Sequence, residues 1–187
     1  MSTGGGWQDQ VGGLTPGFKL ITSKAGLDQK LNIQPIKISA ETLVKFQNRF
    51  ALIYTGQRRL ARNLLRDVMG NYIGSRPESV NALTEMKPTA ALMAFYLEQG
   101  DIDNFSKLLN KQWGLSKQLD SGSTNTCIDQ IFETVEDLID ARFICGAGGG
   151  GFVMVILKKD KTKTELQERL KGFFQDSGVA VWESEFC

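Results

Sequence analysis

The sequence predicts an α+β domain, and three observations carry the prediction. Alternating apolar and polar residues sit near the start, and β-branched runs sit near the end, whereas the middle repeats its apolar residues at helical spacing. The order of the last elements is strand, glycine loop, strand, helix, strand, which resembles half of a ferredoxin-like split βαβ unit. No internal repeat or low-complexity linker divides the 187 residues, so they read as one domain spanning 1–187.

The elements follow in order. Residues 4–17 are glycine-rich and closed by Pro16. "FKLITSK", the turn "AGLDQ" and "KLNIQPIKIS" alternate as a β-hairpin does. "ETLVKFQN" fits a short helical turn, and "RFALIYTG" a buried strand. "QRRLARNLLRDVMG" sets Leu60, Leu64, Leu65 and Val68 on one helical face, with Gly70 as its stop. Pro77 suits a first helical turn, and Pro88 reads as the start of a separate helix that Gly100 ends. Asp101 is placed to cap "IDNFSKLLNKQWGLSKQL". After the polar loop "DSGSTN", Asn125 or Thr126 caps "CIDQIFETVEDLIDA", whose stripe is Ile128, Ile131, Phe132, Val135, Leu138 and Ile139. "RFIC" and "FVMVILKK" read as strands on either side of "GAGGGG". Thr162 and Glu165 form a capping box before a helix with Leu166, Leu170, Phe173 and Phe174 inward. "VAVWESEF" closes as a strand.

Composition narrows the chemistry. With 22 basic and 21 acidic residues, the net charge of +1 gives no electrostatic case for nucleic acid or an anionic membrane. No apolar run reaches the roughly 20 residues of a bilayer span. The scattered Cys127, Cys145 and Cys187 suggest a reduced, cytoplasmic protein without a disulfide framework or zinc site. There is no histidine, which removes Ser-His-Asp and Cys-His triads and a histidine base. Proton transfer therefore falls to Asp, Glu, Lys, Tyr, Cys or water.

"GAGGGG", Gly146 to Gly151, matches a dinucleotide fingerprint by letter only. That fingerprint needs strand, loop, then helix, and here a strand follows. Five glycines in six positions still leave amides uncovered and permit positive φ, so the loop can approach a phosphate or a second loop.

This loop and "GGGWQDQ" near the start, separated by a helix-rich stretch, resemble the paired signatures of the GHMP kinase superfamily. "GAGGGGF" looks like its third motif, and "GGGWQDQ" like the aspartate segment of its sugar-1-kinases. "TGGGWQDQVGGLTPGFKLI" with "YTGQRRLARNLLRDV" is most similar to L-fucose kinases, as in the kinase part of the bifunctional fucokinase/fucose-1-phosphate guanylyltransferases. Heptose-phosphate kinases share the "GGGWQDQ" form. The resemblance implies the GHMP C-terminal domain, a ferredoxin-like antiparallel sheet with a helical insertion. It implies ATP and Mg²⁺ as cofactors, a small sugar as substrate, and an N-terminal kinase domain as partner. That domain would bring a PxxxGLGSSA-type phosphate loop, which this sequence lacks, and the magnesium ligands.

By the same resemblance Asp9 is the general base, or the carboxylate orienting the anomeric hydroxyl; taken alone, it reads rather as an N-cap for a following turn. Trp7 fits stacking on a sugar face or anchoring in a core, and Gln10 fits sugar hydroxyls. Gly5 and Gly6 let backbone come close to substrate. Arg58, spaced with Arg62 and Arg66 along one helix face, is a phosphate or sugar candidate or part of a solvated basic face. Gly146, Ala147, Gly148, Gly149, Gly150 and Gly151 form the phosphate-side loop, and "SGSTNT" is a capping loop or a further wall of the pocket. A non-catalytic ligand-binding module on the same scaffold is the competing expectation.

Overall fold

A computed structural model describes residues 7–26, 28–57, 62–146 and 148–186, without the side chains of Asp9 and of residues 62–67. The elements are α1 (Gln8–Leu14), β1 (Lys19–Ser23), β2 (Leu31–Pro35), α2 (Ala40–Arg49), β3 (Phe50–Thr55), α3 (Arg62–Ile73) and α4 (Pro77–Glu98). They continue with α5 (Ile102–Leu119), α6 (Thr126–Thr134), β4 (Ile139–Ile144), β5 (Phe152–Leu157), α7 (Lys163–Phe174) and β6 (Val179–Trp182).

Strands β1 and β2 pair as the expected hairpin, and the other four form an antiparallel sheet in the order β4-β5-β3-β6. Numbered along the chain, that order is second, third, first, fourth, the ferredoxin-like arrangement. A plain version of the motif has one helix between its first two strands; here α3 to α6 fill that place as the helical insertion.

Alternation along β3 gives the sheet two working faces. Ala51 and Ile53 point to one face, where Val153 and Val155 of β5 meet Ile128, Ile131 and Phe132 of α6 and Leu166 and Leu170 of α7. Phe50 points to the other, with Ala141 and Ile156, against Phe46 of α2, Leu97 of α4 and Phe105 and Leu109 of α5. Phe46 holds this second core together, because the rings of Phe18, Phe50, Phe105 and Phe186 lie 5.5–5.9 Å from it.

Helix α5 runs along the edge of β4 and contributes to both cores, with Trp113 on the far side from Phe105. Between them, Asn110 donates to the Asp140 carbonyl at 2.8 Å and accepts from the Arg142 amide at 3.1 Å. The side-chain amide thus stands in for a neighbouring strand on an otherwise open edge. At the joint of α2 and β3, Arg49 donates to the Leu157 carbonyl (2.8 Å), to Asp103 (3.0 Å) and to Asp140 (2.6 Å). Asp103 also takes Lys159 at 2.6 Å; Lys159 first and Arg49 second hold its carboxyl below the usual range.

Four expectations are corrected. Pro88 does not open a new helix: it lies inside the continuous 22-residue α4. Its missing N–H costs one helical bond, but Ala82 before it and Leu97 after it are both buried, so packing carries the helix through. Gly70 does not stop α3, which runs to Ile73. The stripe from Ile128 to Ile139 is buried as read, yet the helix ends at Thr134, a 3₁₀ turn covers Glu136–Leu138, and β4 begins at Ile139 rather than Arg142. Phe173 is 62% exposed and outside the core. Asp101, Asn125 and the Thr162/Glu165 box cap their helices as the sequence indicates.

Candidate active site

The glycine loop joins β4 to β5 as a hairpin, closed by the Cys145 amide on the Phe152 carbonyl at 2.9 Å. Gly146, Gly148, Gly149 and Gly151 all have positive φ, between 73° and 107°. Such a series of left-handed residues is open to glycine and closed to most others. This is the physical content of "GAGGGG": the strand-loop-strand context holds, and no helix follows for a dinucleotide.

Two neighbouring segments fix the loop's shape. The first is the end of β3: Gly151 donates its amide to the Gln57 carbonyl at 2.9 Å, and its own carbonyl accepts from the Thr55 amide (2.9 Å) and hydroxyl (3.0 Å). The second is the loop before α6, where the Gly149 amide donates to the Ser123 carbonyl at 3.0 Å. The approach there is so close that a Cβ on Gly148 would stand 2.8 Å from the Ser123 oxygen and 2.9 Å from its Cα.

Asn125 joins the two. Its Oδ1 caps α6 by accepting from the Ile128 amide at 3.0 Å. Its Nδ2 donates to the Gly149 carbonyl at 3.0 Å and to Gln57 Oε1 at 3.3 Å. Asp120 and Ser123 brace this loop from behind, through the Gly122 amide and the Ser116 carbonyl. The segment read as a capping loop or pocket wall caps α6, and it also forms one side of the glycine loop's seat.

With the Gly149 and Gly151 amides engaged inside the protein, the amides of Gly146, Gly148 and Gly150 make no hydrogen bond among the described residues. Amides that make no hydrogen bond among the described residues, set in a left-handed loop, are a chemically suitable cradle for anionic oxygens. Beside them, Phe152 touches Tyr54 (5.3 Å) and Trp182 (5.6 Å), and Trp182 is 55% exposed, so an aromatic patch borders the loop. Cys127 approaches the Thr55 carbonyl at 3.6 Å, and burial pushes its thiol up, which keeps it protonated and a poor nucleophile.

Of the other residues read from the sequence, Asp9 lies inside α1 rather than at its cap, which is Trp7. Trp7 is half-buried and Gln10 exposed. Gly5, Gly6, Arg58, Ala147 and the side chain of Asp9 lie outside the described residues. Among the described residues no cluster of His, Cys, Asp or Glu is arranged to hold a metal ion, and no helix is long and apolar enough to cross a membrane. Sequence reasoning missed Thr55 and Gln57, and it named Ser123 only as part of the "SGSTNT" segment. Only the coincidence of one glycine-rich and one Ser/Asn-rich loop, each ending at a sheet or helix terminus, signals them.

A ferredoxin-like sheet with a helical insertion and a glycine-rich β4–β5 hairpin resembles the C-terminal domain of GHMP kinases. Residues 93–176 match the family model for the GHMP kinases C terminal. Among curated relatives, the chain is 31% identical over 187 residues to the bifunctional fucokinase/GDP-fucose pyrophosphorylase of Arabidopsis thaliana. It is 30% identical over 170 residues to the L-fucokinase/L-fucose-1-P guanylyltransferase of Bacteroides fragilis. It spans 18% of the length of each. Among solved structures, L. major mevalonate kinase in complex with R-mevalonate superposes with a TM-score of 0.69 at 16% identity, over 88% of this chain and 48% of that one. A D-glycero-D-manno-heptose 1-phosphate kinase from Bacteroides thetaiotaomicron gives 0.63 at 17% identity, over 95% of this chain and 45% of that one. These structural likenesses establish the fold.

Proposed function

We propose that this chain is the C-terminal part of an ATP-dependent sugar kinase that phosphorylates the anomeric hydroxyl of L-fucose. The observation that carries the reading is 31% identity to a fucokinase over all 187 residues, the span in which "GGGWQDQ" and "GAGGGG" lie. In the proposed reaction the sugar's anomeric O–H gives its proton to the Asp9 carboxylate. Its oxygen bonds to the γ-phosphorus, the bond from that phosphorus to the bridging oxygen breaks, and ADP leaves. The uncovered amides of the glycine loop fit negative charge on the phosphate side. ATP would supply the phosphoryl group. The described residues offer magnesium no ligand set, so none is assigned to it. We expect the 187-residue chain by itself to be inactive, since it spans 18% of its fucokinase relatives and has no PxxxGLGSSA-type loop.

The likeness to a heptose 1-phosphate kinase favours a second reading, with a heptose phosphate as substrate. ADP release by the intact gene product, measured with each sugar in turn, separates the two. Release that depends on L-fucose and is lost in Asp9→Asn supports the proposal. Release that depends only on the heptose phosphate supports the second reading, and full activity in Asp9→Asn removes Asp9 as the base.

A further inference from the structure

The glycine loop is held by a side chain outside its own sequence, and that side chain has two separable functions. Asn125 Oδ1 is an acceptor and caps α6; Asn125 Nδ2 is a donor and bridges the Gly149 carbonyl to Gln57. The bridge closes a ring of contacts: Gln57 accepts the Gly151 amide, Ser123 accepts the Gly149 amide, and Asn125 ties the two sides together two residues after Ser123. A loop with so many left-handed glycines has high entropy when free, so its shape must come from such outside bonds. We propose that Asn125 is a positioning residue, whose amide N–H group holds the glycine loop in the shape that presents the Gly148 and Gly150 amides to a phosphate group. The role of those amides rests on the kinase reading above; the latch itself does not.

The two ends of the Asn125 amide allow a clean test. Asn125→Asp and Asn125→Ser both keep an oxygen able to cap α6, and both remove the amide N–H donor; the Ser hydroxyl retains an O–H, but on a side chain too short to span from the cap to both the Gly149 carbonyl and Gln57. Asn125→Gln is the variant that keeps the amide and moves it. In the intact gene product, hydrogen exchange across a peptide spanning 145–153 is compared with exchange across α6. Loss of one or two net hydrogen bonds predicts exchange about tenfold faster in the glycine-loop peptide for Asp and Ser, with α6 unchanged. In the same variants KM for ATP is expected to rise roughly tenfold while KM for the sugar stays put, as removal of a phosphate-side contact requires. A merely structural cap would move neither.

Unchanged loop exchange in a folded Asn125→Ser protein overturns the proposal. So does faster exchange with an unaltered KM for ATP. Should the gene product phosphorylate no sugar, the kinase reading fails, and the latch stands or falls on the exchange comparison alone. If Asp disturbs α6 through its charge, Ser decides.

Discussion

Gly148 and Ser123 pack backbone to backbone: a Cβ on Gly148 would lie 2.8 Å from the Ser123 carbonyl oxygen and 2.9 Å from its Cα. The contact joins the β4–β5 hairpin to the loop before α6, and neither side can give way by rotating a side chain. Gly148 also has φ of 107°, where an L side chain is strained on its own account.

Gly148→Ala should therefore cost about 2–4 kcal/mol through strain and overlap together, and should displace the loop even where the protein still folds. Thermal unfolding and ATP turnover of the intact gene product check this. Gly146→Ala is the comparison: its φ is 79°, but nothing lies within 4 Å of the added carbon, so its penalty is strain alone and smaller.

Arg49→Ala should destabilise by about 3 kcal/mol, because it leaves the Leu157 carbonyl and two carboxylates without their shared partner. The side chain is only 10% exposed, while Asp103 and Asp140 are 48% and 38% exposed, so water repays part of the loss on the acidic side. A urea midpoint reports the change. Its effect on sugar phosphorylation should be small, since Arg49 sits at the β3 entry and the glycine loop lies beyond the β3 exit.

The pH dependence follows from the carboxylates. Asp103 is held low by Lys159 and then Arg49, and Asp137 by Arg169. A folded-state value below the unfolded one adds stability that is complete above the ordinary carboxylate range and lost as pH falls through the folded value. With no histidine in the chain, little else titrates near neutrality. The urea midpoint should be flat from about pH 5.5 to 7 and fall below about pH 4. A midpoint that moves between about pH 6 and 7 contradicts this account.

Local chemistry was the legible part of the sequence. Asn125, Asp101 and Thr162 cap helices because each side chain bonds an amide three residues on, a rule that needs no tertiary structure. The glycine hairpin was legible for the same reason, since β-branched "FVMVIL" could not continue a helix. What sequence could not show depends on neighbours far along the chain. Asn110 looks like any polar helix residue until β4 lies beside it, and Arg49 looks solvated until Asp103 and Asp140 close over it. Pro88 and Gly70 mislead because packing on neighbouring helices outweighs single-residue propensity. At the site, glycine content marked the loop, but its seat on Ser123, Asn125 and Gln57 came from the fold.

The central claim is transfer of phosphate to an anomeric hydroxyl, and ³¹P NMR of the product tests it most directly. The intact gene product, incubated with ATP, magnesium and L-fucose, is expected to yield a sugar phosphate whose phosphorus couples to the anomeric proton. A phosphate coupled to any other ring proton, or no phosphorylated fucose while ATP is consumed with another substrate, would contradict the account.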